Sequence, residues 1–308
     1  MSNVMKASLS ALYGPTASGK TALAIELACS TGAAILNADS MQVYSDLRIV
    51  TARPSPVEEA AAEHRLYGLL SGSDPCSVAR WVAMVKAEIE RLRPRPVILV
   101  GGTGLYLNAL HNGLSNIPEP PPQVRVAAQD RLEALGLTAF RAEVLTLDPR
   151  TPETIIDPQR LLRIWAVSQA TGKALSQWQG DKQGGIGPFP IFDLAPNRAN
   201  LHDRINRRFD LMLEQGALQE VADLLALELP DSLPIMRAVG VPELAAVVQD
   251  RDNLETAREK ACASSRQYAK RQLTWGRNQL ANAIKFREYP IDLEQVKIIK
   301  ADILSVIG

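Results

Sequence analysis

The chain has few of the features that mark secreted, membrane-spanning or redox-active proteins. Its three cysteines, Cys29, Cys76 and Cys262, lie far apart, with no C-x-x-C pair and no histidine nearby. Neither a zinc site nor a disulfide framework is expected from that pattern. No apolar run reaches the length of a membrane span, and a loop signature begins already at Gly14, leaving no room for a leader. A cytoplasmic enzyme without membrane contact is the expectation. Charge of one sign is also missing: Lys+Arg and Asp+Glu number 34 each over 308 residues, so bulk charge argues neither for nor against nucleic acid. Repeats and low-complexity tracts are absent as well. Hydrophobic residues, at 46%, supply ample core, and the length suits one domain with a sizeable insertion.

Two further gaps are chemical. The apolar run Val97-Ile98-Leu99-Val100 enters Gly101-Gly102-Thr103-Gly104 without the aspartate that nucleotide-hydrolysing enzymes place there for magnesium. No N-K-x-D string for guanine occurs either. A G-protein is disfavoured, and an ATP-driven motor lacks an expected part. Against these gaps stands Gly14-Pro15-Thr16-Ala17-Ser18-Gly19-Lys20-Thr21. Its G-x-x-x-x-G-K-[ST] spacing specifies a loop whose backbone N–H groups wrap a di- or triphosphate while Lys20 neutralises it. The apolar stretch 8–13 before it reads as a strand, and the Ala/Leu-rich stretch 21–29 as a helix whose N-terminus faces the phosphates. The loop names a nucleotide or diphosphate as ligand; it does not name the reaction.

Residues 33–36 and 96–100 read as short buried parallel strands, and between them Val78, Trp81, Val82, Val85, Ile89 and Leu92 recur at helical spacing. The expected fold is α/β: a P-loop NTPase-like core with a doubly wound parallel sheet, its ligands at the carboxyl ends of the strands. Pro118-Glu119-Pro120-Pro121-Pro122 interrupts the pattern, after which 123–135 and 158–170 look helical and no strong strand returns until 189–194. The expected division is a catalytic core of 1–114 and 190–308 and an inserted helical domain of 115–189. Residues 200–213 and 252–280 read as long closing helices.

Several residues could carry chemistry. Asp39, in Asn37-Ala38-Asp39-Ser40-Met41-Gln42, ends a strand beside the phosphate loop and could bind metal, cap a helix or act as a base. Gly101-Gly102-Thr103-Gly104 reads as a second glycine loop entering a helix, with Thr103 as a candidate cap. Arg204 and Arg208 stand four apart on one helix face. Between positions 258 and 277, Arg258, Lys260, Arg266, Lys270, Arg271 and Arg277 face a single acid, Glu259. That helix could serve RNA phosphates.

Taken in order, G-P-T-A-S-G-K-T, A-D-S-M-Q-V-Y (38–44), G-G-T-G-L-Y (101–106), D-P-Q-R-L-L-R (157–163) and Y-A-K-R-Q-L-T-W (268–275) resemble the bacterial tRNA dimethylallyltransferases. The resemblance runs from Gly14 to about Arg277. It implies transfer of a dimethylallyl group from dimethylallyl diphosphate to the exocyclic amine of the adenine 3′-adjacent to the anticodon. The phosphate loop would then hold a diphosphate leaving group instead of a nucleotide tail. Lys20, Arg208 and a Mg2+ ion on Thr21 would stabilise the charge that grows on it. Asp39 would receive the amine proton. The partner implied is a tRNA anticodon stem-loop, its target base flipped out of the stack. The matching tRNA-contact segments are Asp39, Ser40, Met41 and Gln42; Thr103; Arg125; Gln159, Arg160, Leu161, Leu162 and Arg163; and Arg237, Ala238, Val239, Gly240, Val241 and Pro242. Gln42 would offer donor and acceptor to a base edge. Relatives commonly carry an aromatic after this last glycine, whereas here Val241 and Pro242 follow, which removes stacking at that point. A monomer is expected. The competing enzyme class, a small-molecule kinase, needs adenine-binding and lid features that the sequence lacks.

Overall fold

The computed structural model describes residues 9–180, 182–280, 282–289 and 293–307. Contacts divide the chain into two compact units, Met1–His111 with Pro188–Gly308, and Asn112–Gly187. In the first, the chain runs through β1 (Leu9–Tyr13), α1 (Lys20–Thr31), β2 (Ala34–Asn37), α2 (Pro56–Ala61), β3 (His64–Arg65), α3 (Val78–Leu92), β4 (Val97–Gly101) and α4 (Gly104–Asn112). The second holds β5 (Leu114–Ser115), α5 (Pro122–Leu147), α6 (Pro158–Thr171), α7 (Leu175–Trp178) and β6 (Lys182–Gln183). The chain then completes the first unit with β7 (Ile191–Pro196), α8 (Arg198–Glu214), α9 (Ala217–Leu225), α10 (Val241–Val248), α11 (Leu254–Gln279), β8 (Ile284–Tyr289) and α12 (Leu293–Ile307).

The main sheet has the order β3-β2-β4-β1-β7-β8, and every pairing in it is parallel. Helices cover both faces, so β2 and β4 are buried along their whole length. Leu12, Leu27, Ile35, Ile98 and Phe192 form one core with α1 and with Ile299 and Ile303 of α12. A second core joins the 43–50 segment to α8, α9, α10 and α11 through Tyr44, Leu47, Phe209, Leu224, Leu244 and Cys262. The sequence reading did not include β3 or β8. The pair His64-Arg65 has no apolar run to detect, and β8 reads I-K-F-R-E-Y with charges between its apolar positions.

Asp193 on β7 is 1% exposed, and its Oδ2 accepts a hydrogen bond from Arg287 of β8 at 2.5 Å. Removing the arginine leaves a carboxylate buried and unpaired, which typically costs 3–5 kcal/mol. Arg287→Met is therefore expected to lower the unfolding free energy by about 3 kcal/mol in urea titrations. The double variant with Asp193→Leu should recover most of it, and a single variant within 0.5 kcal/mol of the parent (about the scatter of surface substitutions) would deny the pair its role.

The Asn112–Gly187 unit packs α5 against α6 around Phe140, Val144, Leu161 and Ile164, with Trp165 and Leu175 partly buried beside them. The α5 span extends beyond the helix read at 123–135, and Gly136 leaves helical geometry (φ 70°, ψ 163°), so it is two helices meeting at a kink. Asp157 caps α6 by accepting the Arg160 N–H at 2.8 Å, and Pro158 follows in the first turn, where its missing N–H costs nothing. Inside, Asp148 is 1% exposed and accepts the Ser176 N–H at 2.8 Å and its hydroxyl at 2.5 Å. The strands β5 and β6 pair antiparallel.

Candidate active site

The loop between β1 and α1 sits at the carboxyl edge of the sheet. Gly19 caps α1 with a left-handed backbone and no side chain occupies the cap, so the first-turn N–H groups of Lys20 and Thr21 stay available to an anion. Ala17 also lies in the left-handed region (φ 60°), a local strain that recurs where a loop is shaped for a ligand. Lys20 Nζ donates to the carbonyls of Gly14 (2.8 Å) and Pro15 (2.6 Å). Burial pushes its ammonium down to about 7, against the pull of Asp39, and Arg208 adds to the downward push.

Two arginines of α8 reach this loop. Arg204 Nε donates to the Ala17 carbonyl at 2.9 Å. Arg208 lies within 3.4 Å of Thr16 Oγ1 and 3.3 Å of the Ala52 carbonyl. Burial lowers the Arg208 guanidinium to about 10, with Glu58 opposing and Arg204 assisting. Spacing four apart on a helix placed both guanidinium groups on the same loop.

Asp39 follows β2 in a turn shaped by Asn37, which is fully buried. Asn37 Oδ1 accepts the Asp39 N–H at 2.8 Å, and its Nδ2 donates to the carbonyls of Asp39 (2.9 Å) and Leu66 (3.1 Å). Trp81 donates to the Asn37 carbonyl at 2.9 Å and so pins the same turn to α3. Asp39 Oδ1 accepts the Met41 N–H at 2.9 Å. Thr103 Oγ1 accepts the Ser40 N–H at 3.0 Å, tying the second glycine loop to the Asp39 turn. Gln42 departs from the expectation. Both of its amide donors are spent on the carbonyls of Thr51 and Ala52, at 2.9 and 3.0 Å, so in this arrangement it has no donor left for a base edge.

A cavity of about 1300 Å³ connects these parts. It is lined by the loop 16–21, the 39–42 turn, Arg208 and, from α11, Tyr268, Arg271 and Gln272. Eight basic side chains line it against two carboxylates, Asp39 and Glu58. Tyr268 is strongly desolvated there, which drives its hydroxyl far above the usual tyrosine range, and the Arg271 guanidinium lies 5.5 Å from its ring centre. A cavity of that size and sign holds more than a diphosphate.

Other expected contact residues are placed differently. Leu161 is fully buried in the core of its own unit, so its side chain is not presented to a partner, and Leu162 packs half-buried against that core. Gln159 and Arg160 are exposed on the same helix. Arg125 and Arg163 share one carboxylate, Glu119, at 3.0 and 2.8 Å. In the 237–242 segment Ala238 and Val241 are buried, while Arg237 and Pro242 are exposed. Gly240 has φ 100°, a conformation that side chains rarely adopt, and it starts α10. Val241 turns inward as core. The basic helix α11 is less free than its composition implied. Arg258 is paired with Asp210, Lys260 with Asp252 (2.6 Å) and Arg266 with Asn206 (2.8 Å), which leaves Lys270, Arg271 and Arg277 exposed. Gln272, Asn37 and Glu58 are among the residues whose part in the site the sequence reading did not assign; the signals for the first two lay inside strings already singled out, Y-A-K-R-Q-L-T-W and the N-A-D-S turn.

The IPP transferase family model matches residues 42–279. The tRNA dimethylallyltransferase of Chelativorans sp. (strain BNC1) is 46% identical over 281 residues, which is 87% of this chain and 94% of the relative. That of Phenylobacterium zucineum (strain HLK1) is also 46% identical, over 88% and 89% of the two chains. Among solved structures, the full-length tRNA isopentenylpyrophosphate transferase of Bacillus halodurans superposes with a TM-score of 0.69 at 30% identity, covering 97% of this chain and 96% of that one. A eukaryotic dimethylallyltransferase acting on tRNA gives 0.77 at 25% identity, covering 96% and 79%. With three quarters of its length inside one family model and a 46% identical relative covering 87% of it, this chain belongs to the IPP transferase family.

Proposed function

We propose that the protein transfers a dimethylallyl group from dimethylallyl diphosphate to the exocyclic amine of the adenine 3′-adjacent to the anticodon in tRNA, releasing diphosphate. The observation that carries this reading is the shared cavity: the phosphate loop, the Arg204 and Arg208 guanidinium groups and the Asp39 carboxylate open onto the same space. In the reaction the allylic C–O bond breaks and its electron pair leaves with the diphosphate. The amine nitrogen forms the new C–N bond, and its proton passes to the Asp39 carboxylate. The first-turn N–H groups, Lys20 and Arg208 meet the charge that develops on the leaving oxygen. Positive charge around the cavity exceeds what one diphosphate matches, even with Arg48 paired to Glu59, which favours a polyanionic second substrate over a free nucleotide.

Magnesium fits the donor set modestly. The Thr21 hydroxyl lines the cavity at the start of α1, and no cluster of three acidic, histidine or cysteine side chains is found among the described residues. That combination suits an ion held by one protein oxygen and the substrate's phosphates. When bound, it would neutralise charge on the diphosphate.

The deciding assay incubates the protein with unmodified tRNA, magnesium and radiolabelled dimethylallyl diphosphate. Label on tRNA and none on free adenine nucleotides is expected; ATP consumption without labelled tRNA would point to a kinase instead.

Lys20 sets a pH dependence. With its ammonium at about 7 in the free protein, a bound diphosphate favours the charged form and raises that value, so binding takes up a proton. Affinity for inorganic diphosphate should fall as pH rises above 7, by up to tenfold per unit. Calorimetry at pH 8 in two buffers of different ionisation enthalpy should register the uptake, and the Lys20→Met variant should lose it. Equal uptake in that variant would assign the proton elsewhere.

In the Asn112–Gly187 unit, Arg160 is exposed and Arg163 is already paired with Glu119. Arg160→Gln is expected to lower the salt slope of tRNA binding by about one, and Arg163→Gln by less. Equal slopes for parent and Arg160→Gln would remove Arg160 from the phosphate contacts.

A further inference from the structure

Gln272 is a polar side chain of α11 that is 4% exposed, and all of its polar groups are engaged with other segments of the site. Its Oε1 accepts the Thr16 N–H of the phosphate loop at 2.9 Å. Its Nε2 donates to the Gly102 carbonyl of the second glycine loop at 3.1 Å. Its own backbone carbonyl accepts the Tyr13 hydroxyl, at the end of β1, at 2.6 Å. We propose that Gln272 is a positioning residue for the transfer reaction: its amide bridges the phosphate loop to the second glycine loop and so sets the spacing between the donor and acceptor halves of the cavity.

The two loops belong to different halves. The phosphate loop would hold the leaving group. The second glycine loop continues into Thr103, which accepts the Ser40 N–H beside Asp39. A run of contacts therefore leads from Thr16 through Gln272 and Gly102-Thr103 to the residue that would take the proton. An amide does this work in one orientation. Thr16 needs an acceptor and Gly102 a donor, and the side chain offers one of each; a carboxylate lacks the donor and a thioether lacks both. Space for the bridge comes from Gly102, where a Cβ would lie 1.8 Å from Nε2. The bridge also withdraws the Thr16 N–H from the ligand, so the phosphates are left to the amides around the start of α1. Reacting atoms must be held within fractions of an ångström, so loosening one loop against the other costs rate even where each loop stays folded.

This inference deepens the proposed function and rests on it for the transfer step, but the phosphate side can be tested alone. The full-length protein would carry Gln272→Ala, Gly102→Ala or both. Inorganic diphosphate with magnesium is titrated by calorimetry, kcat and KM for dimethylallyl diphosphate are measured at saturating tRNA, and tRNA affinity is measured separately. Each single variant is expected to raise the diphosphate Kd at least fivefold and lower kcat at least tenfold, with tRNA affinity within twofold of the parent. The double variant should lie within twofold of the worse single one, because both substitutions break the same bridge. Singles within twofold of the parent, multiplicative losses in the double variant, or a loss confined to melting temperature would each overturn the proposal. If Gln272→Ala does not fold, Gly102→Ala, which keeps the amide and displaces it, decides by the same criteria. A parent that binds diphosphate but labels no tRNA would refute the function alone, and the diphosphate titrations would still decide the bridge.

Discussion

Asp39→Asn is expected to lower kcat about 1000-fold while leaving tRNA affinity within threefold, the middle of the range for loss of a general base. Asparagine is the informative replacement because Asp39 has two jobs. Its Oδ1 accepts the Met41 N–H, which an amide oxygen can still do, so the turn that presents residues 39–42 survives. What is lost is the capacity to take a proton. Asp39→Ala removes both functions and should add a modest loss of binding to the same loss of rate. Single-turnover labelling of tRNA reads the first quantity and filter binding the second. A variant that turns over normally but no longer holds tRNA would reverse the assignment and make Asp39 a recognition residue.

The second large effect is expected at Arg208. Arg208→Lys should reduce kcat/KM for dimethylallyl diphosphate about 100-fold, in the range for removing one preorganised donor from developing negative charge. Lysine keeps the charge but presents a point in place of a planar fork. It also enters a site that already lowers Lys20 to about 7 and Arg208 itself to about 10 by burial, so part of the new ammonium would be neutral at pH 8. Arg204→Lys should cost several-fold less, since Arg204 is exposed and its Nε is committed to the Ala17 carbonyl. The comparison is made by initial rates over a range of donor concentrations. Equal losses at both positions would indicate that α8 supports the loop structurally and that neither guanidinium meets the leaving group.

Short-range spacing carried a great deal of this protein. The eight residues 14–21 specified a loop, a helix start and an anionic ligand together, because the geometry of a phosphate cradle is encoded in glycines five positions apart, a lysine and a hydroxyl. The strands at 34–37 and 97–101 were legible to within one residue, as 33–36 and 96–100, because a parallel sheet buries both faces and leaves an unbroken apolar run. The two arginines four apart were legible as one face of one helix. Where two-residue strands carry no such run, as at His64-Arg65, nothing local distinguishes them from loop.

Charge and hydrogen-bond assignments were not legible, because each depends on a partner brought from elsewhere in the chain. Six basic residues in α11 looked like an RNA-facing surface, yet Asp210, Asp252 and Asn206 take up three of them. Gln42 looked like a base reader, but folding brings the Thr51 and Ala52 carbonyls to its amide first. Leu161 lay within a contact string and is instead core, since a helix turns one side of any string away from its ligand. Gln272 meets Thr16 across 256 positions, a separation at which no periodicity survives. The kind of ligand and the layout of the sheet were thus written in neighbouring residues. The identity of the groups left free to act on that ligand came from packing, because burial makes most donors and acceptors find a partner, and only the folded chain settles which ones.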